Sequence, residues 1–232
     1  MQPELQPYRT SPGAAGALTV AQNRVLRNIY LLLALTMVPT VIGAMVGMAT
    51  GGIIVQNPVI STLVMLAGVI GLQFAIAANR NSGIGIALLL LMTGILGWWL
   101  GPLLAVALAL KNGPALVGYA AVGTGVVFAV MAVIATTTRR DFSFMGKFLF
   151  VGMIVLLVAL LANLFLQIPA LGLTISSLVI VVFSLFLLYD LSRIVNGGET
   201  NYIMATTGVY LSLFNIFANL LHLLMAFGGD SD

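Results

Sequence analysis

The sequence predicts an all-α membrane protein, a bundle of seven transmembrane helices. Three observations predict it. Only 6% of the 232 residues are charged while 61% are hydrophobic, against about 25% charged in a soluble domain, so such a chain cannot clothe a water-facing surface. Seven apolar runs are each long enough for a spanning helix, which needs about 20 mostly apolar residues. The basic residues then fall almost entirely on one side of the alternating connections.

The candidate spans are 28–50, 57–78, 83–105, 114–137, 148–168, 171–190 and 202–226. None alternates with period two and each is long enough for a helix, so barrel strands are not expected. The first carries Pro39, a candidate kink. Its apolar stretch from Ile29 to Thr50 outruns the roughly 7–15-residue core of a cleaved signal, so it is read as retained. "TGGIIVQNP" breaks the chain before the second span, and "NRNSG" separates the second from the third. Small residues recur every four positions in the first span (Gly43, Gly47, Gly51) and the third (Gly97, Gly101), a spacing that lets helix backbones approach closely in lipid. Trp98 and Trp99 in the third span suit an interface anchor or a packing gap. "KNGP" precedes the fourth span and "TTTRRDFSFMGK" follows it; the charged loop reads as orientation plus contact with anionic lipid. The fifth and sixth spans, parted only by "QIPALG" with Pro169, form a tight antiparallel hairpin. "NGGETN" leads into the seventh.

Seven spans put the termini on opposite sides. With the amino terminus inside, Arg9, Arg24, Arg27, Arg80, Arg139, Arg140, Lys147 and Arg193 are cytoplasmic and only Lys111 is outside. The domains are therefore a flexible cytoplasmic tail over 1–27, a transmembrane bundle over 28–226, and a short periplasmic tail over 227–232 ending in Asp230 and Asp232.

Catalytic signatures are missing: no H-E-x-x-H, G-x-S-x-G or P-loop occurs. Cysteine is absent, and the single histidine, His222, cannot assemble a metal site and suits packing or an interfacial contact. Neither enzymatic activity nor nucleic-acid binding nor a cofactor is expected.

The chemistry concentrates in "LLYDLSRIVNGGETNYI". Asp190 stands in an apolar run, and an acid within a span faces the protein interior or a water-filled cavity and is a functional candidate. Low-dielectric surroundings and its helix's negative end favour the neutral acid. Arg193, one turn on, favours the carboxylate. The residues alone leave two roles open, a proton-sensitive latch or an ion pair capping the helix. The glycines after Arg193 suit a helix end and reversal, and Glu199 and Thr200 stand where the next helix starts. Ser212, Asn215 and Asn219 form a polar stripe on the last span, which places that helix at the centre, with interhelical hydrogen bonding or a pathway lining as its use.

"GGETNYI", with "VLRNIYLLLALT", "TTRRDFSFMG", "ANLFLQIPAL" and "YLSLFNIFANLL", resembles the Bax inhibitor family of membrane proteins, in its bacterial YccA-type branch, over nearly the whole chain. The resemblance implies seven helices with the last surrounded by the other six. It implies an inner-membrane regulator that binds and restrains the ATP-dependent membrane protease FtsH, offering its cytoplasmic tail as a handle. Here that tail runs from Met1, Gln2, Pro3 and Glu4 to about Gln22. A second activity in the family is a pH-sensitive calcium leak, in which calcium ions would be a partner. Its latch pairs two aspartates, of which Asp190 in "LYDL" matches the first. Ser212 replaces the second, so a shared-proton pair cannot form. Arg80 is the nearest match to the arginine of that latch, without aligning cleanly.

Overall fold

Apolar length fixes where this chain is helical. The computed structural model describes residues 12–138 and 140–228, with side chains from Leu26 onward. Outside it lie Met1, Gln2, Pro3, Glu4, Arg9, Arg139, Asp230 and Asp232, as does the side chain of Arg24. The described residues form eight helices and no strand: α1 (Pro12–Thr50), α2 (Gly52–Gln56), α3 (Pro58–Ala78), α4 (Gly83–Ala109), α5 (Gly113–Thr138), α6 (Met145–Leu166), α7 (Pro169–Val195) and α8 (Tyr202–Gly228). All but α2 are long and apolar enough to cross a membrane. Large apolar side chains ring the outside, among them Phe74, Phe148 and Phe165 at 70% exposure or more. That inversion of the soluble pattern suits a bundle whose solvent is lipid.

Three boundaries differ from the expected spans. Helix α1 starts at Pro12, well before its apolar run, although only Leu26–Thr50 qualifies as a span. Proline is favoured at a first helical position and the Ala-rich stretch after it is helix-forming. The break "TGGIIVQNP" holds a short helix, α2, ended by Asn57 ahead of Pro58. Helix α7 runs on past Asp190 to Val195, because Leu191 and Ile194 still bury an apolar face and nothing breaks the helix before Asn196.

The predicted hairpin of α6 and α7 forms around Gln167, held at φ 53°. Its N–H donates to the Asn163 carbonyl (2.7 Å), while the Asn163 side chain accepts the Ile168 N–H (3.1 Å). Pro169 opens α7, where its missing N–H costs nothing.

The two glycine series meet each other. A Cβ at Gly43 would strike the Gly94 carbonyl, one at Gly47 the Trp98 carbonyl, one at Gly97 the Thr40 carbonyl, and one at Gly101 the Gly47 backbone. Thus α1 and α4 touch main chain to main chain, and α1 packs otherwise on α8. Trp98 closes this seam, its Nε1 donating to Thr50 Oγ1 at 2.8 Å.

Helix α8 contributes to three of the four buried apolar clusters and packs on α1, α3, α4, α5 and α7. The third span, α4, buries as many residues as α8, nine each. The Tyr210 hydroxyl ties the two together, bonding Thr40 Oγ1 of α1 at 2.8 Å and pointing to the Thr93 carbonyl of α4 at 3.4 Å.

Candidate functional site

The turn between α7 and α8 builds the site. After Arg193 the chain reverses at Gly197, whose φ of 74° is left-handed and costs glycine little. The Gly198 and Glu199 N–H groups return to the Arg193 carbonyl at 2.8 and 3.1 Å, capping α7. Glu199 then accepts the Asn201 N–H at 2.9 Å. Asn201, not Thr200, caps α8: its Oδ1 accepts the N–H groups of Ile203 and Met204, both at 3.1 Å.

Asp190 sits one and a half turns inside α7, on a cavity of about 180 Å³. Gln73 of α3, Glu199 and Thr207 share its lining. The Arg193–Asp190 ion pair, one of the two roles left open by the residues, does not form. Arg193 instead pairs with Glu199 at 3.3 Å and stacks its guanidinium over the Tyr189 ring at 5.4 Å. Glu199 arrives from beyond the turn, where helical spacing has no say.

The Asp190 carboxylate rests against bare backbone of α8. A Cβ added at Gly208 would stand 2.6 Å from Asp190 Oδ2 and 3.0 Å from its Cγ. A mid-helix glycine costs about 1 kcal/mol relative to alanine, so it needs a packing reason. At Gly208 the reason is this carboxylate. Its isolation within "TTGVYL" was the available signal.

The polar stripe on α8 behaves differently from expectation. Asn215 Nδ2 donates to the Leu211 carbonyl and Asn219 Nδ2 to the Asn215 carbonyl, each at 2.9 Å. Each amide thus donates to a carbonyl of its own helix. Ser212 is buried at 2% exposure and does not line the Asp190 cavity. Cross-helix polar contacts come from other residues: Tyr210, and His222 Nδ1, which lies 2.9 Å from Ser176 Oγ of α7.

Arg80 joins the site through its main chain. Asn201 Nδ2 donates to the Arg80 carbonyl (2.8 Å) and to Asn81 Oδ1 (2.9 Å). Ser192 Oγ and Asn196 Nδ2 donate to the Arg140 carbonyl at 3.0 and 3.1 Å. The turns bearing Arg80, Arg140 and Arg193 are thus knotted at one end. Asp141 there accepts hydrogen bonds from the Ser143 side chain and backbone, which hold its carboxyl below the ordinary aspartate range. Beside Lys111 at the other end, Asn112 Nδ2 donates to the Gly228 carbonyl at 2.7 Å. Among the described residues no three His, Cys, Asp or Glu side chains gather as metal ligands.

Comparison with known proteins covers the same ground as the fold. The family model "Inhibitor of apoptosis-promoting Bax1" matches residues 22–229. A membrane protein of Vibrio cholerae serotype O1 is 41% identical over 206 residues, 89% of this chain and 91% of the relative. The protein named "Modulator of FtsH protease YccA" in Escherichia coli K12 is 40% identical over 205 residues, 88% of this chain and 91% of the relative. "Inner membrane protein YccA" of Escherichia coli O6:H1 matches to the same extent.

Proposed function

The chain belongs to the Bax inhibitor family, and on that premise we propose that it is a non-enzymatic inner-membrane regulator that binds and restrains the FtsH protease. The observation that carries this reading is its 40% identity, over 88% of its length, to the Escherichia coli protein named as modulator of that protease. The tail from Met1 to Gln22 is the handle, presented on the cytoplasmic side, and the bundle organised around α8 is what resists. Main-chain contact between α1 and α4 supports it, because α1 carries the tail and is the first rod any pull from that end must dislodge. In lipid such contact rests on close packing, which is lost when backbones separate.

Two measurements test it. The protease is expected to co-purify with the full chain from detergent-solubilised membranes. Deleting residues 2–22 is expected to abolish degradation of this protein while the bundle still unfolds cooperatively. Unchanged turnover of the truncated chain sinks the handle.

The calcium-leak reading requires Asp190 to work without a carboxylate at Ser212. Calcium flux into liposomes is therefore expected to stay flat across the neutral pH range and to be the same in Asp190→Asn. A flux that varies with pH and loses that variation in Asp190→Asn would restore the leak as the better reading.

A further inference from the structure

A second, larger cavity of about 440 Å³ shares no lining residue with the one at Asp190. Its floor is α4 (Leu100, Leu104) and α8 (Phe214, Phe217), and its two rims are α1 and α5. Helices α1 and α5 each pack on α4 and α8, so the space between the rims opens sideways. At the mouth Met37 and Val41 on α1 are 41% and 57% exposed, and Ala121 on α5 is exposed as well. All of these positions lie within membrane-crossing segments.

Three hydroxyls touch the cavity, and each already has a protein partner for its hydrogen. Thr40 donates to the Thr36 carbonyl at 2.7 Å, and Thr124 to the Ala120 carbonyl at 2.7 Å. The Tyr210 hydroxyl lies 2.8 Å from Thr40 Oγ1 and reaches the Thr93 carbonyl at 3.4 Å. No charged side chain lines the space. A buried water needs two to four polar partners, and an apolar cavity without them stays dry. The volume is that of a small-molecule site, about 300–1,000 Å³.

We propose that this lateral cavity holds one acyl chain of a membrane phospholipid, inserted between α1 and α5 with its headgroup left outside. The polarity of the lining selects the occupant. Water lacks partners here, a charged headgroup has no counter-ion, and hydrocarbon is the solvent at the mouth. The chain bridges two helices that α4 and α8 otherwise hold apart. It also shields the Tyr210–Thr40 bond that fastens α1 to α8.

The test uses the full chain in vesicles of phosphatidylethanolamine and phosphatidylglycerol. A trace of phosphatidylethanolamine carries a diazirine in its acyl chain, and peptides are mapped after irradiation. Label is expected on Met37–Ala44 and Val117–Thr124 at severalfold the level found on Val151, Val155 and Val158. Those three valines, exposed on α6, report ordinary bilayer contact. Ala121→Trp, which fills the mouth from an exposed position, is expected to reduce the two segments to the α6 level. Equal labelling of rims and α6 in the unmodified protein overturns the proposal without recourse to any variant. So does enrichment that survives both Ala121→Trp and Val41→Trp in cooperatively unfolding protein.

Discussion

Gly101→Leu is expected to destabilise the bundle by more than about 3 kcal/mol, beyond the usual 1–3 kcal/mol of core overpacking. The reason is what the new side chain meets. A Cβ at Gly101 runs into Cα and the carbonyl carbon of Gly47 and the Met48 nitrogen, all main chain. A rotamer change can relieve a clash with a side chain, but only separating α1 from α4 relieves this one. Gly71→Leu provides the control. Nothing lies within 4 Å of a Cβ at Gly71, so the added side chain enters lipid, and the helix gains up to about 1 kcal/mol in propensity. Thermal unfolding in detergent, followed by circular dichroism, separates the two. Equal effects at Gly101 and Gly71 would remove main-chain contact as the bond between α1 and α4.

Asn201→Ala is expected to cost about 1.5–3 kcal/mol, the sum of a lost helix cap at 0.5–2 kcal/mol and of two exposed hydrogen bonds near the lower end of 0.5–1.5 kcal/mol each. One side chain here serves two purposes. Its Oδ1 caps α8, and its Nδ2 reaches across to the turn at Arg80. Asn201→Asp separates these, since a carboxylate keeps the cap and loses both donations, so its cost should be the smaller. Amide hydrogen exchange at Ile203 and Met204 reads the cap directly: fast in Asn201→Ala, protected in Asn201→Asp. Matching exchange in the two variants would mean that Oδ1 is not what starts α8.

The seven helices were legible because lipid imposes a length that apolar runs either meet or miss. The basic end was legible because Arg80, Arg140 and Arg193 fall on alternate turns, and those turns are knotted together. Individual partners were less so. Spacing of three residues suggested Arg193 for Asp190, but the guanidinium takes Glu199, which only the reversal at Gly197 brings near. A polar stripe at Asn215 and Asn219 suggests bonds to other helices or a pathway lining, whereas each amide donates to a carbonyl of its own helix one turn earlier. The glycine spacing named both faces of the α1–α4 seam without saying that they face each other. The role of Gly208 is not legible from its own helix, since its reason is a carboxylate on another one.

The seam has a mechanical meaning. The most extensive partner of α1 is α4, two spans further along the chain, and not α3, the next span. Traction applied at the amino terminus therefore cannot unzip the molecule one hairpin at a time. It loads the long glycine track in shear, all of its contacts at once, and a motor that advances in small steps must rupture them together or slip.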